Sequence, residues 1–129
     1  MVLVRLRPYG PGLAGLEKDP ATPLDALAPD SLVPDERSQC AATTPAPLGE
    51  LSVGTWAASE HTCKMAPYPM SEFCFILEGA VHIRLEDGTM EVFNAGDAFW
   101  IEAGTVLEWK QLGNVRKYFV IHQAQRAKL

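Results

Sequence analysis

A glutamate within an apolar segment is the feature of this sequence that most directly indicates chemistry. The string EFCFILEG, residues 72–79, begins at Glu72 and runs through mostly apolar residues to Gly79. If the segment is a strand, Glu72, Cys74 and Ile76 face the same way. A carboxylate on an apolar inner face must be protonated, paired with a cation, hydrated or bound to a ligand. The nearest candidates for a paired cation are Lys64, Arg116 and Lys117.

The histidines and cysteines do not form a recognisable metal or nucleophile pattern. His61, His82 and His122 lie far apart, so we interpret them as surface or hydrogen-bonded structural residues. The three cysteines are Cys40, Cys63 and Cys74, an odd number without a C-x-x-C pair, which is typical of a reducing compartment. No histidine is placed to activate Cys74, and a buried cysteine usually acts as a small hydrophobic residue.

The strands that would hold these side chains begin near Leu51. From there the chain consists of short apolar or alternating strings separated by turn residues, which predicts about eight strands. Glu86-Asp87-Gly88 would close a hairpin, and Asn94-Ala95-Gly96-Asp97 would form a second tight turn. Many short strands without long helices between them predict an all-β antiparallel sandwich or barrel of the jelly-roll type.

The first part of the chain has a different composition. Eight of the ten prolines lie between Pro8 and Pro47, so we predict an N-terminal arm over residues 1–49 without long helices or central strands. Within the arm, Val2–Leu6 is predicted to be an edge strand, and Thr22-Pro23 to begin a short helix. The barrel domain is predicted over residues 50–125.

Charge and hydropathy exclude several classes of partner. The chain has 129 residues, enough for one domain, and a net charge of −5 at pH 7. Its 11 Lys and Arg residues are scattered, so we predict no nucleic-acid partner. No uncharged apolar run is long enough to span a membrane, so we predict a cytoplasmic protein without a membrane partner.

Several strings of the second half resemble the cupin superfamily. Glu72 and Gly79 match the end of the first cupin motif, and Gly96 and Gly104 match the two glycines of the second. YPMSEFCFILEG and NAGDAFWIEAG resemble a subgroup of small single-domain, RmlC-like cupins related to the cupin domain of (S)-ureidoglycine aminohydrolase. The resemblance covers about residues 50–122 and implies a cupin-type antiparallel double-sheet jelly-roll barrel.

The resemblance also implies a metal site, but most of its ligands are missing. Cupins usually hold a divalent metal ion with three histidines and the motif glutamate. Leu107 stands in place of the third histidine, Gln111 replaces the motif asparagine, and Glu72 alone is retained. We therefore predict no metal cofactor; if a transition metal such as Mn or Zn binds, Glu72 is its expected ligand. Depending on the spacing used, the histidine pair falls on Ala66 and Tyr68, Met65 and Pro67, or Glu60 and Thr62.

The residues at and around the motif positions would form an apolar and aromatic pocket with one carboxylate. Pockets of this composition commonly bind small organic ligands. Plain core packing of the same side chains is the alternative interpretation. Catalytic residues are not assigned. The pocket candidates are Trp56, Tyr68, Glu72, Cys74, Leu107 and Trp109.

Four functions are consistent with this sequence to different degrees. The first is a cupin that binds a small organic molecule, with or without slow chemistry. The second is a metal-dependent enzyme, similar to ureidoglycine aminohydrolase, that acts on a small nitrogen-containing acid through atypical ligands. A sugar epimerase would need a pocket histidine with an acidic partner, and the motif positions provide none. The fourth is a structural or regulatory module, and a homodimer that uses the arm is the expected assembly.

Overall fold

The computed structural model describes residues 3, 5–6, 16–18, 36–46 and 49–124. Within these residues there are ten β-strands and no helix, so the predicted all-β class is confirmed. No helix among the described residues has the length and apolarity needed to cross a membrane. The strands are β1 (Glu17–Lys18), β2 (Glu36–Ala46), β3 (Gly49–Ala58), β4 (His61–Pro67), β5 (Ser71–Glu78), β6 (Ala80–Leu85), β7 (Met90–Asn94), β8 (Ala98–Ile101), β9 (Val106–Gln111) and β10 (Val115–Ala124).

The strands form two antiparallel sheets. The larger sheet has the order β1-β2-β3-β10-β5-β8, and the smaller has the order β4-β9-β6-β7. Short connections carry the chain from one sheet to the other, as when residues 112–114 join β9 in the small sheet to β10 inside the large one. This arrangement confirms the predicted double-sheet jelly roll.

Side-chain alternation decides which residues lie between the sheets. On β5, Glu72, Cys74 and Ile76 are buried, whereas Phe73 points outward and is 41% exposed. The apolar core between the sheets is built in the same way from β4, β5, β6, β8, β9 and β10. Burial of this apolar surface is the main force that holds the two sheets together.

Residues 36–46 differ from the prediction of a proline-broken arm, because they form the long strand β2. This strand pairs with β3 from Glu36 to Ala46, with a register shift between Cys40 and Ala42. Pro45 is the only proline in the segment and lies near the strand end, where a missing backbone donor is tolerated. The number of prolines in residues 1–49 as a whole therefore did not reveal that residues 36–46 can pair with a neighbouring strand.

The other predictions for the arm lie mostly outside the described residues. Leu3, Arg5 and Leu6 are described and belong to no strand, while the rest of Val2–Leu6 is outside the described part. The short helix predicted after Thr22-Pro23 is also outside it.

The predicted hairpin turn joins β6 to β7. Gly88 has φ of 92°, and the Asp87 carboxylate accepts a hydrogen bond of 2.9 Å from the backbone N–H of Thr89. Gly79 ends β5 with φ of 85°, and a Cβ atom there would lie 2.2 Å from the backbone oxygen of Asn114. The motif glycine at position 79 is therefore required both by its backbone angle and by the close approach of a neighbouring segment.

Candidate functional site

Glu72 lies between the two sheets and has a partner on each carboxylate oxygen. The Lys117 Nζ atom donates a hydrogen bond of 2.6 Å to Oε2, and the Tyr68 hydroxyl donates one to Oε1. Both members of the Glu72–Lys117 ion pair are buried, with side-chain exposures of 2% and 5%. Of the three cations named from the sequence, Lys117 is the one that pairs with Glu72.

Lys117 is also enclosed by aromatic rings. Its Nζ atom lies 4.6 Å from the ring centroid of Trp56 and 4.7 Å from that of Trp109, which are distances typical of cation–π contacts. A weaker contact of 3.6 Å joins Nζ to the Cys74 sulfur. We use the name Lys117 cluster for the six residues Lys117, Glu72, Tyr68, Cys74, Trp56 and Trp109.

The strand pairing explains how residues distant in sequence meet here. In the large sheet, Lys117 on β10 is directly opposite Trp56 on β3. Trp109 comes from β9 of the small sheet, and its ring meets that of Trp56 edge-on at 6.0 Å. Tyr68 follows β4, where its backbone exchanges hydrogen bonds with Gly104 and Thr105. The cluster therefore joins the inner faces of both sheets.

Gln111 holds Trp109 in place. The Trp109 Nε1–H group donates a hydrogen bond of 2.9 Å to Gln111 Oε1. The Gln111 amide nitrogen in turn donates to the backbone oxygens of Ala58 and Gly113, each at 3.1 Å. Gln111 is 1% exposed, so its hydrogen-bonding groups are satisfied by protein groups. The sequence indicated Gln111 only as the residue that replaces the motif asparagine, and its positioning role was missed.

The burial of the cluster keeps two of its acids protonated. Desolvation raises the pKa of Tyr68 well above its ordinary value, and the negative charge of Glu72 raises it further. Desolvation also raises the pKa of the Cys74 thiol well above its ordinary range, although the positive charge of Lys117 opposes this effect. At neutral pH the Tyr68 hydroxyl is therefore a hydrogen-bond donor, and Cys74 is a neutral thiol and a poor nucleophile.

Opposing effects act on Lys117. Desolvation lowers the pKa of its ammonium group, but the negative charges of ionised Cys74 and Glu72 and the hydrogen bond to Glu72 outweigh it, so the pKa is raised. Because the Cys74 thiol is protonated at neutral pH, the Glu72 carboxylate is the counter-charge there. The pair therefore consists of a carboxylate and an ammonium ion.

The residues of this site do not fit the divalent metal that cupins usually hold. Both oxygens of Glu72 already accept hydrogen bonds, and the Lys117 ammonium group would repel a metal ion at the same carboxylate. Ala66 and Leu107 have no donor atoms. Among the described residues, no group of three or more His, Cys, Asp or Glu side chains is arranged to hold a metal ion.

The structure gathers five of the six predicted pocket residues into one cluster, namely Trp56, Tyr68, Glu72, Cys74 and Trp109. The sixth, Leu107, is 4% exposed and packs in the apolar core.

The three histidines occupy separate places in the fold. His61 is buried beside Trp56, with 6.3 Å between the ring centroids, and its Nδ1–H group donates to the backbone oxygen of Ser59 at 2.7 Å. His122 is exposed at the end of the large sheet. His82 pairs opposite Lys110 on the outward side of the small sheet.

Comparison with solved structures supports the same fold. A protein of unknown function from the DUF861 family of Pseudomonas syringae is 24% identical, with a TM-score of 0.64; the match covers 92% of this chain and 45% of that chain. The EutQ protein of Clostridium difficile is 17% identical over 72% of this chain and 71% of its own, with a TM-score of 0.58. The polyketide cyclase RemF of Streptomyces resistomycificus is 12% identical over 99% of this chain and 87% of its own, with a TM-score of 0.63.

These identities establish a shared fold and carry no activity over to this chain. The chain spans less than half the length of the Pseudomonas protein. No curated protein matches the sequence, and the relation to ureidoglycine aminohydrolase stays a prediction. The family model for the EutQ-like cupin domain matches residues 45–119, more than half of the chain and all of the segments that build the Lys117 cluster. The chain therefore belongs to the EutQ-like cupin domain family.

Proposed function

We propose that this protein binds a small organic molecule in its barrel without a metal ion, and that the Lys117 ammonium group takes the place of the metal. The observation that carries the proposal is the buried Glu72–Lys117 ion pair, which lies against the faces of two tryptophans. A metal in a cupin is a fixed positive charge held by the motif glutamate. In this chain the motif glutamate instead holds a positive charge that belongs to the protein.

Energetics favour a binding role for the cluster over simple packing. A buried ion pair in a small barrel is weak evidence for stability, because well-packed apolar residues of similar volume often stabilise a core equally well or better. The chain nevertheless has a carboxylate, an ammonium group, a phenol and two tryptophans at one place. An apolar wall with a few convergent polar groups is the composition of a small-molecule site.

The first test measures metal and ligand binding together. Untagged wild-type protein purified without chelator is expected to contain far less than one transition-metal ion per chain. The Glu72→Ala substitution is expected not to lower this metal content. Addition of a small-molecule ligand from a metabolite panel is expected to raise the melting temperature of the wild-type protein, because binding to the native state stabilises it.

Lys110→Met is the matched control for Lys117→Met in this experiment, since Lys110 is an exposed lysine on the outward face of the small sheet. The control should retain the ligand-induced shift that Lys117→Met loses. Stoichiometric manganese or zinc that disappears in Glu72→Ala would contradict the proposal and favour the metal-dependent enzyme. A panel without any thermal shift would contradict small-molecule binding.

We also propose that the protein is a homodimer, supported by the contrast between the outer faces of its sheets. On the large sheet, Phe73 and Trp100 are directly paired across β5 and β8 and are 41% and 58% exposed. The outer face of the small sheet also exposes Met90 and Val92, but it carries the Arg84–Glu108 ion pair at 3.1 Å. An uncharged aromatic face can contact its own copy without like-charge repulsion, although the chain has a net charge of −5.

Replacing Trp100 by glutamate would place like charges at a symmetric contact, so Trp100→Glu is expected to convert a dimer to a monomer in sedimentation equilibrium. Lys110→Glu, on the other sheet, is the control and should leave the mass in solution unchanged. A wild-type protein that sediments as a monomer would contradict the proposal.

A further inference from the structure

The Lys117 cluster is balanced in charge. It holds one carboxylate and one ammonium group in direct contact at 2.6 Å, and both are buried. The other hydrogen-bonding groups, the Tyr68 hydroxyl and the Cys74 thiol, are neutral because burial raises the pKa of each. The two tryptophans contribute ring faces and no charge.

We propose that this site selects electrically neutral ligands that carry an acceptor oxygen and an apolar body. The inference deepens the proposed function, because it names the ligand class for the same site. A carboxylate or ammonium ligand would add a charge that the Lys117 cluster leaves uncompensated, since Glu72 and Lys117 already neutralise each other. Burial of an unpaired charge is far more costly than burial of a hydrogen-bonded neutral group.

The contacts of Lys117 indicate where the acceptor oxygen binds. An ammonium group has three N–H donors, and one of them makes the short bond to Glu72. A second is directed at the Cys74 sulfur across 3.6 Å, and sulfur is a weak acceptor. A carbonyl or hydroxyl oxygen is a better partner for this donor than the thiol. The faces of Trp56 and Trp109 would then contact the apolar part of the ligand.

The charge balance has a second consequence. With the Lys117 side chain removed, the remaining groups are a carboxylate and two tryptophan faces, which together form a receptor for an ammonium ion. With Glu72 neutralised instead, the Lys117 ammonium group is left as a receptor for a carboxylate. Each single substitution is therefore expected to invert the charge preference in a defined direction.

The experiment uses three probes with the same carbon chain: propionamide, propionate and n-propylammonium. Lys117→Ala removes a propylammonium group from the side chain, so n-propylammonium matches the space that it leaves. Binding to the wild type, Lys117→Ala and Glu72→Gln is measured by competitive ligand-observed NMR. The wild type is expected to bind propionamide at least about tenfold more tightly than either charged probe, a difference of about 1.4 kcal/mol.

The two variants are expected to reverse this order. Lys117→Ala should bind n-propylammonium most tightly, and the double variant Lys117→Ala/Glu72→Gln should lose that binding. Glu72→Gln should bind propionate most tightly. The wild-type comparison and Glu72→Gln test the inference even if Lys117→Ala does not fold.

The outcomes separate this inference from the proposed function. Tighter binding of propionate or n-propylammonium to the wild type would overturn the neutral-ligand inference, while the barrel would still be a small-molecule site. Failure of the wild type to bind any of the three probes and any neutral compound of the metabolite panel would overturn the proposed function and this inference together. An unchanged order of preference in both variants would overturn the assignment of Glu72 and Lys117 as the selecting charges.

Discussion

Lys117→Met is expected to lower the free energy of unfolding by about 3–5 kcal/mol, because it leaves the buried Glu72 carboxylate without its counter-charge. Methionine has a similar shape to lysine and can occupy the same space between Trp56 and Trp109. The loss should therefore report the missing charge and not a new cavity. Urea denaturation followed by circular dichroism measures the change.

The double variant Glu72→Gln/Lys117→Met is the informative comparison for this prediction. Glutamine retains an oxygen that accepts the Tyr68 hydrogen bond and removes the uncompensated charge, so most of the lost stability should return. The coupling between positions 72 and 117 then follows from the double-mutant cycle. Independent, additive effects of the two substitutions would show that the ion pair is not the stabilising contact.

Gln111→Leu is expected to lower the free energy of unfolding by about 3 kcal/mol, because it leaves several buried polar groups without partners. The Trp109 Nε1–H group loses its acceptor, and the backbone oxygens of Ala58 and Gly113 lose a shared donor. Leucine has a similar volume to glutamine, so the effect comes from hydrogen bonding more than from packing. Chemical denaturation gives the change in stability.

A second readout tests the positioning role of Gln111. Release of Trp109 Nε1–H should reorient this ring over Lys117 and change the near-ultraviolet circular dichroism of the native protein. Gln123→Leu replaces an exposed glutamine on the same sheet as Lys117 and is the control. A native spectrum that is identical for Gln111→Leu and wild type would contradict the idea that Gln111 orients the Trp109 ring.

The fold could be predicted because its signals are local. Alternation along residues 71–78 places Glu72, Cys74 and Ile76 inside, and the turns at residues 86–88 and 94–97 depend on glycine at one position each. Such patterns can be recognised without knowing which strands pair, because strand alternation and left-handed turn angles are properties of short segments. Strand β2 was missed although it forms a local hairpin with β3, in which Ala46 lies opposite Gly49, because the surrounding prolines concealed its signal.

The sequence by itself determined that a buried carboxylate at position 72 needs a partner, and its resemblance to cupins implied a double-sheet jelly roll without the usual histidine ligands. Only the tertiary structure decided which cation is the partner. Arg116 and Lys117 are adjacent, and simple alternation would bury one of them, yet a register shift between them in the pairing of β10 with β5 leaves both buried. Such a bulge depends on the neighbouring strand and reorients the side chains at that point. Only the tertiary structure likewise shows that Trp109 contacts Lys117 and that Gln111 holds the Trp109 ring. These contacts form where the small sheet meets the large one.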